Sequence, residues 1–181
     1  MAKGGVNKAF ETLRDFEKRA LIHAVGLPEQ ASAQGTWSGI AFRLAEANMV
    51  SDISEIVEIM TVPSFTRVPG ARNWMLGIAN VRGNLVPIID LRGYLSGEKT
   101  TMDKYTRVLV VPQHGGNVGL LIDEIVGQRH FLDEEQTDEG HYREHMVGRY
   151  IEREYVKGEE HWGTFAVGRL VSDPEFQQAA A

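Results

Sequence analysis

Apolar positions change their spacing once along this chain. Between Phe10 and Ala24 they recur every three or four residues (Phe10, Leu13, Phe16, Ala20, Leu21, Ala24), with Glu11, Arg14, Asp15, Lys18 and Arg19 on the other side. That spacing predicts one amphipathic helix. Gly26 and Pro28 supply its stop, the first tolerant of left-handed backbone and the second unable to continue a helix. Gln30–Gly35 reads as a small-residue linker. From Trp37 onward the apolar runs shorten, and turn residues interrupt them about every ten positions, which predicts a sandwich or small barrels and not βαβ units. Strands are expected near Trp37–Leu44, Ile53–Ile59, Gly77–Val81, Asn84–Ile89, Arg107–Pro112, Val118–Ile122, Gly127–Phe131, Tyr150–Val156 and Trp162–Val167.

Two hairpins are the firmest local features. In Arg107–Ile122, two apolar runs flank His114–Asn117, where Gly115–Gly116 supplies positive φ. The same glycines lack the Lys-Ser/Thr pair and the following helix of a phosphate-cradling loop. In Met75–Leu91, the residues Arg82, Gly83 and Asn84 separate the runs; Gly83–Asn84 is expected to turn the chain, with Arg82 at the tip. Pro87 cannot donate to a ladder, so its strand is expected to be an edge or to carry a bulge. Asp90 reads as the N-cap of a short helix, Leu91–Ser96, closed by Gly97.

Composition removes whole classes of function. With no cysteine in 181 residues, disulfides, thiolate metal sites and a cysteine nucleophile are excluded, and a reducing compartment fits. The start of the chain leads into a charged stretch, and no run approaches the ~18 apolar residues that span a bilayer. The expectation is a cytoplasmic protein without membrane insertion. The net charge is −6, with acidic clusters at Asp133–Glu135 and between Glu152 and Glu160 and no basic block. Nucleic acid is therefore not expected as a partner.

The string Leu76-Gly-Ile-Ala-Asn-Val-Arg-Gly-Asn-Leu-Val-Pro-Ile-Ile-Asp-Leu91 closely resembles the signature of the CheW-like family of bacterial chemotaxis coupling proteins. The resemblance extends through Ile53–Ile59, Thr66–Pro69 and Val118–Gly127, and covers Trp37 to Val171. Within the family, the N-terminal helix ending Gly26-Leu-Pro-Glu-Gln30 looks like the branch that serves type IV pilus twitching motility. The resemblance implies a mainly β fold of two SH3-like five-stranded barrels packed together, with short helices near 91–96 and the C-terminus. The expected organisation is an N-terminal helix and linker (1–36), a CheW-like domain (37–175) and a tail (176–181).

It also implies a role: a non-catalytic, cofactor-free adaptor of two-component signal transduction. Its implied partners are the hairpin tip of a methyl-accepting receptor and the CheW-like regulatory domain of a histidine kinase, with the adaptor itself monomeric or weakly self-associating. Carried over by position, Ile56, Glu58, Arg82 and Gly83 are expected to bind partners, and Asn84 and Asp90 to serve the turn and the cap. On a strand through Glu55–Ile59, Ile56 and Glu58 share one face and Val57 and Ile59 the other; the expectation is that Ile56 and Glu58 face outward. The Arg82 guanidinium is expected to reach a carboxylate of the other barrel or of a partner. Ser51–Asp52 departs from the family's small or apolar residues, and Gly168 and Pro174 are expected to shorten or shift the last helix.

The rival reading is a metal-dependent enzyme. His141 and His145, four apart, would share a helix face, with His130 or Asp133 as third ligand and Glu144 as base. However, the glutamate is not at the zincin position, and Gly140 and Gly148 bracket only a short segment. No serine stands in a nucleophile elbow, and Asp123 and Glu124, adjacent on a strand, point to opposite faces. A membrane-surface role for the Phe10–Ala24 helix is disfavoured by its mixed charge.

Overall fold

The apolar runs around Val108–Val111 and Val118–Ile122 are nearly continuous, the mark of strands covered on both faces. The computed structural model, which describes residues 35–179, shows what covers them. Val108 and Val110 enter one core with Ala79, Val81, Val86, Ile88 and Leu121. Leu109 and Val111, on the opposite face, enter a second and larger core. The expected helix Phe10–Ala24 lies outside the described residues.

Twelve strands among the described residues form two sheets. One takes its strands from both ends of the described chain: β1 (Thr36–Leu44), β2 (Ala47–Asp52), β9 (Glu124–Leu132), β10 (Gln136–Thr137), β11 (Ile151–Lys157) and β12 (Glu160–Phe165), ordered β10-β11-β12-β2-β1-β9. The other is built from the middle: β3 (Glu58–Thr61), β4 (Phe65–Thr66), β5 (Met75–Val81), β6 (Asn84–Asp90), β7 (Arg107–Gln113) and β8 (Gly116–Ile122), ordered β3-β7-β8-β6-β5-β4. Both follow one plan. A hairpin (β1–β2 or β5–β6) places its second strand parallel to the second strand of another hairpin (β11–β12 or β7–β8). The expected five strands per barrel become six in each sheet, because the two-residue strands β10 and β4 add an edge to each.

Each sheet keeps a small core of its own. In the first, Ala41, Val50, Phe131, Tyr155 and Trp162 pack together. The largest cluster lies between the sheets and joins Phe42, Leu44 and Met49 of one to Ile89, Leu109 and Leu120 of the other. Three short helices, α1 (Leu91–Ser96), α2 (Val167–Ser172) and α3 (Pro174–Gln177), add Leu91, Leu170 and Phe176 to it. A buried polar chain crosses the same region. The Tyr150 hydroxyl donates to Asp173 Oδ2 at 2.7 Å and lies 2.9 Å from the Tyr94 hydroxyl, tying α1 to the N-cap of α3.

Several boundaries differ from the sequence reading. β2 was not foreseen, because its residues are buried on nearly every position and show no alternation. Its Ser51, which looked out of place, is buried and donates to the Phe165 carbonyl at 3.1 Å. The turn of β5–β6 is Arg82–Gly83, one residue earlier than Gly83–Asn84, so Asn84 is the first residue of β6 and pairs with Val81. The turn of β7–β8 likewise comes one residue early, at His114–Gly115. The last helix is split at Asp173, with Pro174 opening α3.

Asp90 does more than cap a helix. Its Oδ1 accepts from the Gly93 amide at 3.0 Å and from Thr100 Oγ1 at 2.7 Å, and its Oδ2 accepts from the Thr100 amide at 2.9 Å. The carboxylate thus pins the 97–102 loop to the start of α1. Gly77 has a comparable duty, since a Cβ there would collide with the Thr66 carbonyl, and its absence lets β4 close on β5.

Leu120→Ala, which empties space in the shared core, is expected to cost about 2–5 kcal/mol. Because both sheets line that core, urea unfolding followed by tryptophan fluorescence and by far-UV circular dichroism should give one coincident transition. Two separated transitions would show that the sheets fold independently.

Candidate partner-binding surface

The path from β2 to β3 decides which side chains reach the surface. Asp52 Oδ1 accepts from the Ser54 amide at 2.8 Å and from the Ser54 hydroxyl at 2.6 Å, bonds that hold its carboxyl below the usual carboxylate range. This caps a single 3₁₀ turn, Ile53–Glu55. The Glu55 carboxylate accepts from the Gly168 amide of α2 at 3.1 Å, while burial raises its pKa. The expected strand Ile53–Ile59 therefore begins only at Glu58.

The chain leaves that turn with the expected alternation but with the two faces exchanged, so that neither Ile56 nor Glu58 faces outward as expected. Ile56 is partly buried and packs against the shared core, whereas Val57 (57% exposed), Ile59 and Ile53 face outward. Scattered exposed apolar residues are ordinary on a protein surface. Three within residues 53–59 concentrate apolar area that association can cover.

Glu58, on the inward side of β3, reaches Arg82. The Arg82 Nη2 donates to Glu58 Oε1 at 2.7 Å. The carboxylate it meets within this chain belongs to the same sheet, where the sequence reading allowed one of the other barrel or of a partner. The Arg82 side chain is 79% exposed even in this pair, so the contact itself is worth about 0–1 kcal/mol. Arg82 has φ 52 and Gly83 φ 88, the two positive values of a type I′ turn. For a non-glycine residue that conformation costs roughly 1 kcal/mol or more. Asn80 steadies the turn through its Oδ1, which accepts from the Gly83 amide at 2.8 Å. Leu85, three residues past Arg82, is 75% exposed.

The other sheet supplies an internal control. Its β1–β2 turn also holds a non-glycine residue at positive φ, Ala45 (φ 53). That tip is bound to its own sheet system: the Ala45 amide donates to Asp123 Oδ2, and Arg43 pairs with Glu124 at 2.6 Å. The adjacent carboxylates Asp123 and Glu124 are thereby occupied in holding a hairpin.

The structure does not place His141 and His145 on one helix face. The segment 141–147 is a series of turns and not a helix. His141 stacks on His161 with ring centroids 4.1 Å apart. His145 Nδ1 accepts from the Val147 amide at 3.4 Å, and burial first, then the neighbouring His141, lowers its pKa. His130 lies far along the chain on β9, where its carbonyl accepts from Lys157 Nζ. Among the described residues no group of three His, Cys, Asp or Glu could hold a metal ion. The anchor of this region, which sequence reasoning missed, is Tyr142. Its buried hydroxyl lies 2.8 Å from the His161 carbonyl and 3.0 Å from the Asn48 carbonyl.

Comparison with known proteins gives a consistent picture. The model of the CheW-like domain family matches residues 38–174. Protein PilI of Pseudomonas aeruginosa is 41% identical over 126 residues, 70% of this chain and 71% of that protein. The chemotaxis protein CheW of Helicobacter pylori is 35% identical over 113 residues, 62% of this chain and 68% of the relative. Among solved structures, the scaffolding protein TtCheW from Thermoanaerobacter tengcongensis superposes with a TM-score of 0.62 at 22% identity, covering 72% of this chain and 84% of that one. At that identity the match speaks for the fold alone.

Two outcomes are expected here. Arg82→Asn, which suits the turn better, should leave the unfolding free energy unchanged or raise it by up to about 1 kcal/mol. A clear loss in denaturant unfolding would show that the pair with Glu58 holds the hairpin. Burial pushes the Tyr142 phenol up to about 12, above its unfolded value. Its contribution is then fully present below pH 10 and lost between roughly pH 10 and 12. Tyr142→Phe should flatten the fall in thermal stability over that window.

Proposed function

Because the chain belongs to the CheW-like domain family, we propose that it is a non-catalytic adaptor holding a methyl-accepting receptor and a histidine kinase in one chemotaxis-like array that controls type IV pilus twitching motility. The similarity to PilI supports the pilus branch, and the similarity to chemotaxis CheW proteins supports a kinase and a receptor as the kinds of partner. No helix among the described residues is long and apolar enough to cross a membrane, which accords with an adaptor on the cytoplasmic side.

The observation that carries the residue assignment is the exposed, strained Arg82, whose guanidinium meets Glu58 of β3, the strand that also carries the exposed Ile59. In isolation the turn would be more stable with another residue, and the ion pair to Glu58 returns little. A partner that covers the β5–β6 tip as well as the outward residues of β3 would dry the Arg82–Glu58 pair and give the guanidinium's remaining donors new acceptors. We assign this face to the kinase's CheW-like regulatory domain, and the receptor's hairpin tip to a separate surface. The association should bury an ordinary area, roughly 800 Å² per partner, and the free adaptor should be monomeric or weakly associating.

Two measurements test this. Arg82→Ala should stay folded while losing capture of the kinase from native extract, and Val57→Asp should do the same; native affinity in both variants would remove this face from the interface. Sedimentation of the wild type should give a monomer, and an obligate homodimer burying Val57 and Ile59 would contradict the assignment.

A further inference from the structure

At the other edge of the middle sheet lies a cleft of about 340 Å³, between β4 and the 67–74 loop on one side and the 97–102 loop on the other. That volume is at the small end of ligand pockets, enough for one large side chain and its backbone. Its apolar lining includes Phe65, Leu76 and Met102, of which Met102 is exposed. Arg67, Arg72 and Lys99 also line it, and none of the three forms an ion pair among the described residues.

Both walls are held in place without a ligand. The missing Cβ of Gly77 lets the Thr66 carbonyl sit against β5, which fixes the start of the Arg67 wall. On the other side Asp90 clasps Thr100 through both its amide and its hydroxyl, which fixes Lys99 and Met102 on either side of it. Asp90 is the one carboxylate lining the cleft among the described residues. It is 2% exposed, and its acceptors are already taken by Gly93 and Thr100. The neighbouring carboxylates are likewise committed: Glu98 to Arg92 at 2.9 Å, and Asp103 to the Tyr105 and Thr106 amides. The cleft therefore presents three cations with no ion-pair partner among the described residues, against one buried carboxylate, around an apolar lining on a chain whose net charge is −6.

We propose that this cleft is a second docking point that takes an acidic peptide segment of a partner protein, one apolar side chain entering between Phe65, Leu76 and Met102 while flanking carboxylates meet Arg67, Arg72 and Lys99. Charge complementarity selects the occupant. The acidic remainder of the surface repels a polyanion long enough to run beyond the three cations, and a bare anion would leave the apolar floor wet. A short acidic segment with an apolar anchor satisfies both parts. The site lies at β4, the opposite edge strand to β3, so it stands whether or not the Arg82 face binds a kinase.

The test uses the full-length protein and fluorescence anisotropy of a fluorescein-labelled peptide with two aspartates, one phenylalanine and two glutamates. The acidic peptide should bind and should weaken several-fold on going from low to physiological ionic strength, on the order expected for a few exposed charge contacts. Arg67→Glu combined with Lys99→Glu should lower affinity by about tenfold or more, since it turns attraction into repulsion. Arg129→Glu, on the other sheet, should leave affinity unchanged within about twofold. Replacing the peptide's phenylalanine by glycine should also lose about tenfold while keeping the salt dependence. This last comparison needs no protein variant and remains decisive if the double variant misfolds. The proposal is overturned if the acidic peptide fails to bind at millimolar protein, if a lysine-substituted peptide binds as well, or if the phenylalanine contributes nothing. Such a result leaves the adaptor assignment intact, because that assignment is read out by kinase capture through Arg82.

Discussion

Everything in this protein depends on one constraint: several strands must be apolar on both faces, because each sheet buries one face in its own small core and the other against its neighbour. Leu109 and Val110, adjacent in β7, belong to different cores, and so do Met49 and Val50 in β2. Neither sheet could keep Leu44, Leu109 or Leu120 dry alone, and the hydrophobic area shared between them outweighs any single polar contact in the fold. The polar chain from Tyr94 through Tyr150 to Asp173 then fixes how the small helices sit on that shared core.

A core used up in this way leaves function to the surface. The residues that break local rules stand outside it: Arg82 holds a left-handed backbone at an exposed tip, and Val57 and Ile59 leave apolar area in water. The β1–β2 turn shows that such strain is not in itself a sign of function. Ala45 adopts nearly the same φ, but Asp123 binds its amide and Glu124 its flank. What marks Arg82 is that its largely exposed guanidinium meets only Glu58 among the described residues, while Asn80 steadies the turn beneath it. The charged stretch at 138–147, by contrast, is held by Tyr142 and by Glu154, whose carboxylate accepts from the His141 and Tyr142 amides at 2.8 and 3.1 Å.

The β5–β6 and β7–β8 hairpins were legible because apolar runs and glycines are local signals, although each turn falls one residue earlier than expected. The capping role of Asp90 was legible for the same reason, whereas its bonds to Thr100 span ten residues and leave no pattern. β2 escaped notice because burial on both faces removes the alternation by which a strand is usually recognised. The alternation over residues 56–59 was read correctly, with Ile56 and Glu58 on one face and Val57 and Ile59 on the other, but the faces were exchanged, because alternation alone does not say which side meets the core. Arg82 and Glu58 were singled out from the family resemblance; their contact with each other depends on how the sheet curls, which neither residue's neighbours encode.

The order of strands carries a consequence for synthesis. One sheet is complete once residues 58–122 have emerged, but β1 and β2, made first, have no β9 or β12 to pair with until the chain has grown past residue 124 and then past residue 160. During that interval a hairpin with two sticky faces waits at the ribosome, a situation that invites misassembly. The finished middle barrel, exposing Leu109 and Leu120, is the natural surface to shelter it, so the first-made hairpin would wait on its future neighbour instead of on another nascent chain.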